Sequence, residues 1–161
     1  MNFMKTFRLL TILSVLSIAT LTGCSKKSDD VNPDPATGAA GFKVKVDGKE
    51  YAPDFSYALA SFPANDLYYA IYGLDSKTSD IVAIALPKTV KEGTFPINNV
   101  NFAVMTFDKQ DFSTINGGSG SITITKRTDS NIQGTFSLTA VDATGTLKRT
   151  LTDGSFNVNV R

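Results

Sequence analysis

The sequence predicts an all-β protein, an antiparallel β-sandwich or partly closed β-barrel of about nine or ten strands with little helix. Three observations carry this. Apolar residues after position 41 recur with a period of two rather than 3.6. Clusters of Gly, Asn, Asp and Pro interrupt them at short intervals. Residues 42–161 are also long enough for a single domain that buries about two-thirds of its unfolded surface without disulfides, which suits a chain of 161 residues with one cysteine.

The elements follow in order. Val44 and Val46 lead into Asp47-Gly48, where a two-residue type I′ loop sets Lys45 opposite Glu50 and Val44 opposite Tyr51. Residues 67–74 and 81–86 are apolar at nearly every position, which predicts strands covered on both faces. Residues 108–115 hold the one candidate for a helical turn or two, because Asp108-Lys109-Gln110-Asp111 suits a helix start. Over 121–127, Ile122 and Ile124 alternate with Ser121, Thr123 and Thr125. From Ile132 onward, Phe136, Leu138 and Ala140 alternate with Gln133, Thr135, Ser137 and Thr139. Asp153-Gly154 predicts a second two-residue loop, with Leu151 across from Phe156 and Leu147 across from Val160. The last strand puts Phe156, Val158 and Val160 on one face and Ser155, Asn157 and Asn159 on the other. Further breaks are expected at Pro63-Ala64-Asn65-Asp66, 76–80, 87–93, Asn98-Asn99, Asn116-Gly117-Gly118, Asp129-Ser130-Asn131 and 142–145.

Ahead of this body, Lys5 and Arg8 precede an uncharged run of 13 residues, 9–21, too short for a bilayer span and suited to the core of a cleavable leader. Leu21-Thr22-Gly23-Cys24 resembles the lipobox of bacterial lipoproteins, in which the cysteine becomes the acylated first residue. That resemblance implies a signal peptide over 1–23 and a lipid anchor on Cys24. Two or three acyl chains, at about 0.8 kcal/mol per buried methylene, give effectively stable attachment. Residues 24–41 then read as the lipidated cysteine and a flexible tether, in which 25–41 span about 60 Å extended and roughly 23 Å as a coil. Ser25 after the cysteine resembles an outer-membrane passenger. Ser25-Lys26 with Asp29 and Asp30 also resembles a surface-export signal, from which Lys27 and Ser28 depart. The expected location is therefore the outer membrane, on its periplasmic face or at the cell surface.

Composition restricts the chemistry. The chain has no histidine, and its lone cysteine is assigned to lipid, so Ser-His-Asp and Cys-His nucleophiles and His- or Cys-ligated zinc are excluded. Loss of Lys5 and Arg8 with the leader turns a formal net charge of +1 into −1, which gives no footprint for nucleic acid. The remaining carboxylates, from Asp47 to Asp153, fall mostly in turns, where Asp is favoured for backbone hydrogen bonding. Asp108 with Asp111, and Asp129 with Asn131, are the candidates for calcium, and neither fits an EF-hand. Gly117-Gly118-Ser119-Gly120 lacks the Lys-Ser/Thr of a phosphate loop. No catalytic residue, metal ligand or cofactor is assigned. Tyrosines offer an apolar body with a polar tip, and Tyr57, Tyr68, Tyr69 and Tyr72 are the candidate ligand or interface residues. Alternation puts Tyr68 and Tyr72 on one face and Tyr69 on the other.

The segments Val46-Asp47-Gly48-Lys49-Glu50-Tyr51, Gly93-Thr94-Phe95-Pro96-Ile97, Ser121-Ile122-Thr123-Ile124-Thr125, Gly134-Thr135-Phe136-Ser137 and Asp153-Gly154-Ser155-Phe156 stand in this order behind the lipobox. Together they resemble a family of uncharacterised Bacteroidota lipoproteins. The resemblance implies an all-β envelope module without an established activity, and partnership with other envelope proteins. The leading expectation is a non-catalytic binding or interaction module held to the membrane through Cys24, with an exposed apolar or aromatic patch on one sheet face or loop end. A lipocalin-like carrier would instead need a hollow barrel. A carboxylate-dependent, glycan-acting enzyme would need two facing acids.

Overall fold

A computed structural model describes residues 41–62 and 67–161. The expected leader, Cys24, all of the tether before residue 41 and the turn Pro63-Ala64-Asn65-Asp66 lie outside the described residues. The strands are β1 (Gly41–Val46), β2 (Lys49–Tyr51), β3 (Phe55–Phe62), β4 (Tyr68–Leu74), β5 (Ile81–Pro87), β6 (Gly93–Pro96), β7 (Phe102–Phe107), β8 (Gln110–Ser113), β9 (Ser119–Arg127), β10 (Asn131–Val141) and β11 (Lys148–Asn159), with one 3₁₀ turn at Thr114–Asn116.

All eleven strands form one antiparallel sheet that folds over without closing, a sandwich-like or open-barrel arrangement. One half runs β2-β1-β11-β10-β9-β6 and the other β8-β7-β5-β4-β3. They meet where Val141 pairs with Ser113, and again through a single parallel bridge from Ala58 to Val160. β10 joins the two halves: eleven residues long, it pairs with β9 and β11 over most of its length and with β8 at Val141. The inward phase of the first half supplies Phe42, Val44, Ile122, Ile124, Phe136 and Phe156. The second half supplies Ile71, Val82, Ile84, Leu86, Ala103 and Met105. Phe136 lies 5.3 Å from Phe42 and 6.3 Å from Phe156, and Tyr51 meets Phe107 edge-on at 5.2 Å, so aromatic rings fill the space between the halves.

The Asp47-Gly48 loop has the expected register, Lys45 opposite Glu50 and Val44 opposite Tyr51, with φ of 50° and 81° as type I′ requires. Two other expectations are corrected. Asp108-Lys109-Gln110-Asp111 starts no helix: Asp108 and Lys109 both take positive φ and close the β7–β8 hairpin, because Phe107 pairs with Gln110 and Phe112 points inward, and the one helical turn begins later, as the 3₁₀ turn that Ser113 caps at Thr114–Asn116. Asp153-Gly154 is not a hairpin loop but a bulge inside β11. Phe136 faces Gly154 and Leu138 faces Leu151, so one residue of β10 opposes two of β11. Leu151 therefore pairs with Val46 and Leu138, while Leu147 stays in an exposed loop.

The segment at 81–86 is buried in both phases, and that at 67–74 is buried in its inward phase and, of the other phase, at Ala70. Val82, Ile84 and Leu86 are fully buried toward the other half. Ala83 and Ala85, of the opposite phase, are 6% and 3% exposed, and no strand among the described residues lies over them.

Candidate functional site

The two outer faces of the molecule differ in chemistry. On the first half, β10 and β11 turn Gln133, Thr135, Ser137, Thr150, Ser155 and Asn157 outward, the wet face that an antiparallel sheet normally carries. On the second half the outward phase is apolar. Its rows, read across β3, β4, β5, β7 and β8, are Phe55-Leu74-Ile81-Thr106-Asp111, then Tyr57-Tyr72-Ala83-Val104-Ser113. A third row runs Leu59-Ala70-Ala85-Phe102, and Tyr68 opposite Pro87 closes the series. Within these rows the one side chain with a formal charge is Asp111, on the β8 edge. Because every strand belongs to one of the two halves, no strand among the described residues lies over this face.

The tyrosines give the face its relief. Tyr57 and Tyr72 stack with centroids 5.2 Å apart and planes 28° from parallel, and Tyr68 leans on Phe102 at 6.1 Å. The Arg161 guanidinium sits 5.0 Å over the Tyr57 ring. Its backbone N–H donates to Ala58 O at 2.8 Å, which holds this segment against β3. Burial, followed by the neighbouring Tyr57, raises the Tyr72 phenol above its ordinary pKa. Beyond the ridge of rings, a depression of about 410 Å³ opens over Ala83, Val104, Thr106, Asp111 and Ser113 and reaches Asn116. Val104 and Phe55 are 38% and 53% exposed.

Of the four tyrosines singled out from sequence, Tyr57, Tyr68 and Tyr72 come together on this face and Tyr69 does not. Tyr69 points inward, 7% exposed, and its hydroxyl accepts a hydrogen bond from Arg127 Nη2 at 3.1 Å. The same guanidinium packs 5.1 Å over the Tyr69 ring and donates to Val90 O at 2.7 Å, so this tyrosine holds structure. Phe102 and Val104 were missed from sequence. Their signal was the apolar run at 102–107, interrupted by Thr106 and nearly as dense as those at 67–74 and 81–86.

The carboxylates serve backbone and ion-pair roles. Asp54 accepts from the Ser76 amide at 2.8 Å and its hydroxyl at 2.5 Å, and these bonds hold its pKa below the ordinary value. The Thr144 hydroxyl and the Leu147 and Thr146 amides do the same for Asp142, closing the 142–147 loop. Burial pushes Asp47 up, but the Thr150 amide and Arg149 outweigh it and the net shift is downward. Arg149 also donates to Asp108 at 3.2 Å, and Asp111 accepts from the Thr106 hydroxyl at 2.6 Å. Asp47, Asp54 and Asp142 are thereby stabilised as anions, the opposite of what a general acid needs. Among the described residues no group of three or more His, Cys, Asp or Glu is placed to hold a metal ion. No helix among them is long and apolar enough to cross a membrane.

A family model described as "Domain of unknown function (DUF6252)" matches residues 39–159. The comparisons with curated proteins and with solved structures return no match.

Proposed function

We propose for this chain, which belongs to the DUF6252 family, the role of a non-catalytic binding module of a bacterial cell envelope. In this reading it is an outer-membrane lipoprotein of Bacteroidota type, tethered through acylated Cys24 and presenting the tyrosine face of its second half to a partner. The observation that carries the reading is the contrast between the two outer faces. A row-by-row apolar surface with charge at its β3 and β8 edges, Arg161 and Asp111, is what a sheet keeps when something else removes that surface from water. The hydrogen-bonded, ionised carboxylates give no support to a glycan-cleaving pair. The rings packed between the halves occupy the volume a lipocalin-like carrier would keep open.

The test replaces Val104, on the rim of the depression, with a photocrosslinking benzoylphenylalanine in the full chain, irradiated in intact envelopes. The expected result is discrete adducts from position 104 and none from the same probe at Thr135 on the polar face. Equal adduct yields at both positions would remove the basis of the reading. The anchor is tested alongside, as acyl-peptide mass at Cys24 and its loss in Cys24→Ser.

A further inference from the structure

The β5–β6 connection crosses from the second half of the sheet to the first, and beside it lie the β9–β10 turn and the residue that precedes β7. We infer that the mouth these segments surround is a second binding site, one that takes a short neutral saccharide. This goes beyond the partner-binding role proposed above and makes no use of the tyrosine face. Two hollows open at the mouth, of about 440 and 370 Å³, and Lys91 and Glu92 line both, so the two are neighbours. Each lies in the size range of small-molecule sites, which favour the mouths of barrel-like sheets.

The walls are held from behind. Arg127, the last residue of β9, donates through Nη1 to Val90 O at 2.7 Å and through Nη2 to the Tyr69 hydroxyl at 3.1 Å. Its guanidinium also lies 5.1 Å over the Tyr69 ring. A strand of each half and the crossing connection thus fix this group at the larger hollow, with N–H donors to spare. Asn101 does the same for the smaller one. It is 8% exposed, its Nδ2 donates to Pro96 O at 3.2 Å, and its Oδ1 has no partner among the described residues. An acceptor so deeply buried is costly to leave unbonded, and the hollow that Asn101 lines is where a donor can reach it.

Charge then restricts the ligand. Lys91, Glu92, Arg127 and Asp129 bring two cations and two carboxylates to the larger hollow, a formal sum of zero. None of the four is ion-paired among the described residues. An anion entering here would face two carboxylates, and a cation two basic groups. A hydroxyl both donates and accepts, so a polyol can meet all four at once. The smaller hollow adds an apolar wall of Pro87, Val90 and Phe95, which suits the C–H face of a sugar ring, beside the Thr89 hydroxyl and Asn101 Oδ1. A zwitterion such as phosphoethanolamine would answer the charges and leave that wall and that acceptor unused. One ring against the apolar wall and another among the charges make a disaccharide the smallest ligand that uses both hollows.

The experiment takes the full chain in a polyoxyethylene detergent, which carries no sugar, and titrates it calorimetrically with maltose, cellobiose and chitobiose. At least one is expected to bind with a Kd of about 1 mM or tighter. Glu92→Gln combined with Asp129→Asn keeps both shapes and removes both charges, and should weaken that binding at least about ten-fold. Neither side chain makes a hydrogen bond among the described residues, so the thermal midpoint of this double variant should stay where it was. Thr135→Ala, on the polar outer face, should bind the same sugar as the unaltered chain does. Failure of all three sugars to bind, tighter binding of inorganic phosphate or phosphoethanolamine, or undiminished binding in the double variant would each overturn the inference. Each of those results leaves the crosslinking test at Val104, and the reading it checks, untouched.

Discussion

Gly154→Ala should destabilise the protein by about 1–3 kcal/mol, through one ring and not through the backbone. A Cβ built on Gly154 would lie 2.6–2.7 Å from three carbons of the Phe136 ring, whereas ordinary contact begins near 3.4 Å. The ring must retreat by most of an ångström. It is hemmed in by Phe42 at 5.3 Å and Phe156 at 6.3 Å, both nearly inaccessible to water, so the displacement propagates into the core. Gly154 itself is not in the left-handed region, so alanine meets no backbone penalty there. For a domain of this size the loss should lower the thermal midpoint by roughly 3–15 °C. Phe136→Leu lowers stability by itself, but in the Gly154→Ala background it should cost less than in the unaltered chain, because the smaller side chain vacates the contested space. The double-mutant cycle should therefore show a favourable coupling of at least about 0.5 kcal/mol. If Asp153-Gly154 were instead a type I′ loop, Gly154→Ala would suffer from its positive φ and a smaller residue at 136 would bring no relief. An additive cycle would refute the bulged strand.

Tyr51→Phe removes the hydroxyl that donates to Gly73 O at 3.1 Å and Asp80 O at 2.8 Å, and should cost about 1–2 kcal/mol in urea denaturation with an unchanged slope. Because Asp47, Asp54 and Asp142 have folded-state pKa values below the ordinary 3.8, the stability they contribute is present above that value and lost as pH falls through it. Denaturation midpoints should hold from pH 7 to 5 and drop by pH 3, with a smaller drop in Asp142→Asn. Tyr69→Phe should lower the midpoint by removing the Arg127 contact while leaving crosslinking at position 104 intact. Tyr57→Ser should do the reverse.

How far the site could be read from the chain depended on phase. Alternation assigns two faces to a strand, but over 67–74 and 81–86 both phases are apolar, so the pattern could not say which was core. Packing on a single glycine decides it. A Cβ on Gly73 would strike the Phe42 ring at 2.6 Å, which puts Gly73, and with it Tyr69 and Ile71, on the inside. Tyr68, Ala70 and Tyr72 are left outside. The outward phase also holds the small residues Ala70, Ala83 and Ala85, which leave room between rings, whereas the inward phase of β5 is Val82, Ile84 and Leu86. A contrast in size, more than in polarity, separated the two faces.

The same dipeptide gave one correct register and one false one, and parity explains both. The inward positions Val46 and Tyr51 are five apart, as are Leu151 and Phe156, and an odd interval means that the chain has shifted its phase by one residue. A two-residue loop does this by reversing the strand, and a bulge does it by inserting a residue in a strand that runs on. Both tolerate Asp with positive φ, and Asp47 and Asp153 have nearly equal values, 50° and 54°. What differs is the space beyond the glycine. Nothing lies within 4 Å of a Cβ on Gly48, as at a loop tip, whereas Gly154 is pressed by a core ring. Beside the first dipeptide stands β2, three residues long and an edge strand. The second has β1 and β10 on its two sides, both already paired in register with the residues before and after it. Reversal at Gly154 would forfeit a ladder on each flank, so the phase shift is taken up within the strand.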